Sequence, residues 1–208
     1  MKYIFINPVV GNMYQKEELD KLLLDNGYIR LEVENDWHGI VKEKYNNVLK
    51  STNKTILDRR CPLAIDTIGK YVNEDDVFMH EIDPILIHCG IEISIREDLK
   101  GKKKIITTPC ESLASYGNSK NLEDTLLLSW KQFINELDKN NGIKVNMLDE
   151  SPIPPGYFNN LDAKVSSISG KENIENHFKN GLHKEDDLVE MLYCPNGCNN
   201  GDGVLINE

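Results

Sequence analysis

The chain has 208 residues, 39% of them hydrophobic, and carries 34 acidic against 24 basic side chains for a formal net charge of −10. That length suffices for one sizeable core or two small lobes. The acidic balance argues against nucleic acid or an anionic membrane as partner, since both select a basic face. The longest apolar runs, such as Ile85-Leu86-Ile87, fall far short of the roughly 20 residues of a membrane span. Met1 to Asn7 reads as a strand without the apolar segment and cleavage site of a signal peptide, so a cytoplasmic protein is expected. Structural disulfides are uncommon in that compartment, and the five cysteines are an odd number. A metal site, a redox thiol or core packing are the uses that remain.

In chain order, residues 3 to 6 form a short β-rich run, followed by Asn7-Pro8 and a loop through Gly11. Lys16 to Asn26 has helical spacing, with Leu19, Leu22 and Leu23 on one face and Gly27 just past the end. Tyr28 to Val33 alternates like a strand, and Trp37 to Leu49 is a second helical pattern through Val41, Tyr45 and Val48. Thr55 to Asp58 reads as a strand running into Arg59-Arg60-Cys61-Pro62, where Pro62 can open a helix to Val72. Pro84 to Leu99 is expected as a helix ended by Gly101, and Lys103 to Thr107 as a strand ending at Thr108-Pro109-Cys110. Leu122 to Leu137 reads as one helix containing Trp130 and Phe133, and Ile143 to Leu148 as a strand. The prolines of Ser151-Pro152-Ile153-Pro154-Pro155-Gly156 mark a linker or crossover. Gly170 to Gly181 is a short helix and Leu188 to Tyr193 the final strand. Strands alternating with helices predict an α/β fold with mainly parallel sheets and helices on both faces.

Cys61, Cys110 and Cys194 each follow a β-rich run and each has a neighbouring proline. Ligands of α/β sheets collect beyond the carboxyl ends of strands. Three strand ends can therefore bring these thiols to one crevice, with Cys198, four residues after Cys194, as a fourth. Four thiolates suit a [4Fe–4S] cluster. Spacing alone leaves zinc and plain core packing open, although zinc sites more often show two close cysteine pairs.

The same corners carry a resemblance. From about Cys61 onward the chain resembles the catalytic domain of iron-only ([FeFe]) hydrogenases and their non-catalytic relatives. That family has a Cys-Cys-Pro corner, a Pro-Cys-x-x-Lys corner and a final Glu-x-Met-Ala-Cys-x-x-x-Cys run before a glycine-rich turn. Here they stand as Arg60-Cys61-Pro62, Pro109-Cys110-Glu111-Ser112-Leu113 and Glu190-Met191-Leu192-Tyr193-Cys194-Pro195-Asn196-Gly197-Cys198. The resemblance implies two lobes meeting at a cysteine-lined crevice, with Cys61, Cys110, Cys194 and Cys198 holding one [4Fe–4S] cluster. It suggests a hydrogenase-like lobe over 55–150, carrying the first two cysteine corners, and a C-terminal segment over 151–208 with the Cys-x-x-x-Cys motif. It does not extend to residues 1–54, which read as an N-terminal α/β segment of unknown role.

Three positions depart from the family pattern. Its proton-relay cysteine is Arg60, its cyanide-contacting lysine is Leu113, and its methionine before the third ligand is Leu192. Arginine stays protonated and cannot relay protons as a thiol does, and leucine offers a diatomic ligand no hydrogen bond. The expectation is a cubane-only protein for electron transfer or redox sensing, served by a redox partner protein or a small-molecule electron carrier. An iron–sulfur reductase acting on a small substrate is a second expectation, with Cys89 as its candidate redox thiol beside a buried packing role. A structural zinc or interaction protein is the third. Arg59 and Arg60 read either as cations offsetting a cluster or as a solvated basic pair. His88 is expected at the surface or as a cap rather than as a ligand or proton carrier, Glu190 near the cluster or facing solvent, and Asn200-Gly201-Asp202-Gly203 as an N–H donor turn to the cluster or only a terminal turn. The acidic runs Glu74-Asp75-Asp76 and Glu185-Asp186-Asp187 read as solvated loops.

Overall fold

The computed structural model describes residues 2–73, 75–137 and 151–198. The described residues form two compact units that interleave along the chain. The first takes residues 2–35 and 86–137, the second 36–73, 75–85 and 151–198. Each is built on a four-stranded, all-parallel sheet with helices around it, which makes the protein α/β. Among the described residues no helix is long and apolar enough to cross a membrane. The expected strand over Ile143 to Leu148 and the turn over Asn200 to Gly203 lie outside the described residues, as does Glu74 of the first acidic run.

The first unit starts with β1 (Lys2–Phe5), the one-turn helix α1 (Pro8–Gly11), α2 (Lys16–Asp25) and β2 (Tyr28–Leu31). Residues 8–11, expected as loop, are helical because Asn7 caps them and Pro8 occupies the first turn. The unit continues with α5 (Ile85–Ser94), β5 (Lys104–Thr108), α6 (Glu111–Asn118), β6 (Thr125–Ser129) and α7 (Trp130–Glu136). The sheet order is β2-β1-β5-β6. Crossovers therefore leave β1 and β5 in opposite directions, which makes the gap between their carboxyl ends the switch point of this sheet. Leu19, Leu23, Ile4, Ile105, Trp130 and Phe133 fill one core cluster.

The second unit contains α3 (Trp37–Leu49), β3 (Thr55–Leu57), α4 (Pro62–Ile68), β4 (Val77–Phe78), β7 (Val165–Ser169), α8 (Lys171–Lys179) and β8 (Leu188–Leu192). Its order is β4-β3-β8-β7. Alternation along the strands sends Ile56 and Leu188 to a cluster with Val41, Tyr45 and Phe158, and Leu57, Val189 and Met191 to another with Ala64, Ile68 and Phe178. Covered on both sides, β8 is buried at all five positions, as central parallel strands are.

The single helix expected over Leu122 to Leu137 is corrected to β6 followed by α7. Leu126-Leu127-Leu128 favours helix locally, but Thr125 to Ser129 pairs with β5 at every residue. Asn118 also bonds both backbone groups of Leu127, at 2.8 Å each, as a further strand would. Helix begins only at Trp130, where Ser129 and Gln132 form a reciprocal capping box. The helix expected from Pro84 to Leu99 stops at Ser94, with a separate 3₁₀ turn over Glu97–Leu99. The short strands β4 and β7 went unrecognised in the sequence.

Packing of α6 on β6 depends on Gly117, because a Cβ there would collide with the buried side chains of Leu127 and Ile87. Gly117→Ala is therefore expected to destabilise the protein by about 1–3 kcal/mol through overpacking, despite alanine's better helix propensity. Urea denaturation of the two proteins measures the difference.

Candidate functional site

In the second unit β3 and β8 are parallel neighbours, with Leu57 opposite Val189. Cys61 and Cys194 follow their carboxyl ends. Cys61 caps α4, with Pro62 in the first turn. Burial pushes its thiol pKa up, the N–H groups of Tyr193 and Ala64 pull it back, and Asp58 and Cys194 raise it further. Gly170 pins the end of β8 by donating its N–H to the carbonyls of Leu192 and Cys194, at 3.0 and 3.1 Å.

The turn from Cys194 to Cys198 has Asn196 at φ 58° and Gly197 at φ 125°. Gly197 is required twice over, since a Cβ would also strike Ser151 Oγ and the Ile153 carbonyl. Cys198 donates its N–H to that same carbonyl at 2.9 Å. The proline-rich stretch read as a linker is thus the bed on which the cysteine turn lies.

Cys110 belongs to the first unit, where it caps α6 directly after β5 and its Sγ accepts the Leu113 N–H at 3.5 Å. Sequence reasoning missed Asn7, which stands after β1, the neighbour of β5. Its backbone N–H donates to Thr107 Oγ1 at 2.7 Å and its Oδ1 accepts from Val9. Its amide nitrogen is buried without a hydrogen-bond partner. The signal available was its place at a strand end before proline.

The residues around Cys61 form a buried charge network. Arg60 reaches Asp58 with Nε and Nη2 and Glu190 with Nη2, at 2.6–3.0 Å. Both carboxylates are 0% exposed. Glu190 also accepts from Gly156 N–H, Tyr157 N–H and Ser167 Oγ, while Asp58 accepts from Tyr45 Oη and the Arg60 N–H. The guanidinium carbon lies 4.1 Å from the centre of the Tyr157 ring and 4.7 Å from that of Phe158. This corrects two expectations: Glu190 does not face solvent, and Arg60 is neither a solvated cation nor a spare positive charge. One guanidinium between two carboxylates leaves the network net negative.

Three further side chains are settled by burial. Cys89 is buried in α5 and its thiol is pushed up to about 12, by burial first and by Glu92 second. It lacks the thiolate character of a redox nucleophile. His88 is buried in the same helix rather than at the surface. In the second acidic run Asp186 is buried against His177, at 3.2 Å, rather than solvated.

Among the described residues no group of three or more His, Cys, Asp or Glu side chains is gathered as a metal site. Comparisons with protein-family models, with curated proteins and with solved structures gave no match.

Replacing Arg60 by leucine would leave two buried carboxylates without their counter-charge. A loss of about 3–5 kcal/mol is expected by urea denaturation, with Arg60→Lys recovering only part because lysine lacks the fork.

Two histidines set the pH dependence of the second unit. His80 donates Nε2–H to the Leu57 carbonyl at 2.8 Å and accepts the Ile82 N–H on Nδ1, so the fold holds it neutral. Burial lowers its pKa, as does Arg59, while the Leu57 bond and Asp58 oppose them. His183 is buried, stacked on Phe178 at 4.6 Å, with neither ring nitrogen hydrogen-bonded. Burial lowers its pKa, then His177 and Lys184, against Asp76 and Asp186. Both native pKa values thus lie below the unfolded value of about 6.5. Below that pH the unfolded chain binds more protons, so stability should hold above pH ~7 and fall as pH drops through ~6.5. Urea midpoints across this range test it, and His183→Phe should flatten the slope.

Proposed function

We propose that the protein binds one [4Fe–4S] cluster through Cys61, Cys110, Cys194 and Cys198 and uses it for electron transfer or redox sensing. The observation carrying this reading is the placement of the cysteines. Three of the four stand within four residues of the carboxyl ends of parallel strands, and the Leu113 N–H donates to the sulfur of Cys110. That all four thiols are free of disulfides and partly exposed, whereas the fifth is buried, supports this reading. Four thiolates suit a cubane, and a bound cluster would supply a one-electron carrier.

The protein's own part follows from its geometry. Burial raises the Cys61 thiol pKa overall, against the opposing backbone N–H groups of Tyr193 and Ala64, and the Leu113 N–H donates to Cys110 Sγ. Asp58 and Glu190, less the charge of Arg60, place a net negative charge behind Cys61, which would lower the potential of an anionic centre. The crevice that would unite the units, the redox partner and a cytoplasmic location belong to this proposal. So does the kinship with iron-only hydrogenases, as a form without the two-iron unit.

Anaerobic purification followed by iron and acid-labile sulfide analysis tests the reading. About four of each per chain are expected, lost when Cys61, Cys110, Cys194 or Cys198 becomes serine and retained in Cys89→Ser. A colourless, iron-free protein after reconstitution would overturn it, and bound zinc in its place would establish a structural site.

A further inference from the structure

The second unit contains a cavity of about 170 Å³ at the carboxyl ends of β3 and β4, covered by α4. Its walls are hydrocarbon, from Leu57, Ile65, Ile68, Val72 and Phe78, and among the described residues Arg59 is the charged side chain in the lining. Met79, 52% exposed, also lines it and so marks its mouth. Cavities of about 150 Å³ walled by aliphatic and aromatic side chains accept benzene. The space therefore suits one ring or a short branched chain.

Arg59 makes the site selective. Its neighbour Arg60 is held by two carboxylates, whereas Arg59 has no carboxylate partner among the described residues. Its backbone N–H donates to Tyr45 Oη at 3.1 Å and its Nη1 to the His80 carbonyl. Those contacts fix the head group without pairing it to a carboxylate. A guanidinium steadied at one end and set in an apolar wall favours an anion, and a carboxylate matches its planar donors best. A neutral hydrocarbon would leave the cation as it is, and a hydrated inorganic anion would gain nothing from the walls.

We propose that this cavity binds a small aromatic or branched-chain carboxylate, its hydrocarbon against Ile65, Ile68, Val72 and Phe78 and its carboxylate on Arg59. The site is independent of the cluster reading, since none of its walls is a cysteine, and either can fail without the other.

Titration of the full-length protein with benzoate tests it, using benzamide as the neutral control and calorimetry or amide chemical shifts as readout. Saturable binding of one benzoate per chain is expected, with benzamide at least about tenfold weaker. Arg59→Gln should remove the preference for benzoate over benzamide. Val72→Phe and, from the helix side, Ile65→Trp should each close the cavity and abolish binding of both. Absence of saturable benzoate binding, equal binding of benzamide, or binding that survives a folded cavity-filling variant would each overturn the proposal. The first two readings need no variant to fold.

Discussion

Arg60 carries a positive charge between two carboxylates that have no access to water, and the second unit is organised around that contact. Charges removed from solvent are costly unless paired and hydrogen-bonded, and here the pairing recruits donors from much of the unit. Asp58 follows β3, Glu190 lies within β8 and Ser167 within β7, Tyr45 comes from α3, and Gly156 and Tyr157 from the proline-rich segment. Breaking any one of these contacts leaves another buried group unsatisfied. The corner that presents Cys61, one residue after Arg60, is held rigid as a result. The bed beneath Cys194–Cys198 is tied to the same anchor, because Gly156 and Tyr157 continue directly from Ser151 and Ile153.

Parallel topology supplies the second constraint. Every described strand pairing is parallel, so in each unit the loops that follow strands emerge together at one end of the sheet, where helices start. A cysteine at such a corner can meet the free N–H groups of a helix start, as Cys110 does with Leu113. Burial of Cys61 works in the opposite sense and favours its neutral thiol. These tendencies pull apart in a metal-free chain. Under the proposed reading a bound metal would take the proton's place and share the charge of the thiolate.

Much of the fold was legible in the sequence, and the failures have physical causes. The helix over Trp37–Leu49 and the final strand matched because hydrophobic period and caps agree there. Leu126-Leu127-Leu128 misled because its strand pairing depends on β5, some twenty residues away, and on an asparagine side chain completing its edge. The strand β4 has two residues, too few for any period, and β7 is serine-rich. Of the candidate site, the strand-end positions of three cysteines could be read directly. The burial of Arg60 and Glu190 could not, since 130 positions separate them and an arginine pair before a helix ordinarily means surface. Arg59 and Arg60 look alike in sequence and are distinguished only by which carboxylates the fold delivers.

Under the proposed kinship, the three departures from the hydrogenase pattern would share one consequence. Arg60 replaces a thiol with a cation that is wholly committed to Asp58 and Glu190 and cannot be spared for proton movement. Leu113 is 6% exposed and Leu192 5% exposed, so both present hydrocarbon where the family pattern has an ammonium group or a thioether. Each change exchanges a group able to contact a polar ligand for one that packs or locks. A two-iron unit with diatomic ligands needs hydrogen-bond donors around it, and leaving those ligands unpaired in an apolar wall is unfavourable. The four cysteines are not among these substitutions, whereas Arg60 is itself the centre of the charged anchor behind Cys61. Under the proposed reading the chain has therefore kept what holds a cubane and given up what holds anything attached to it.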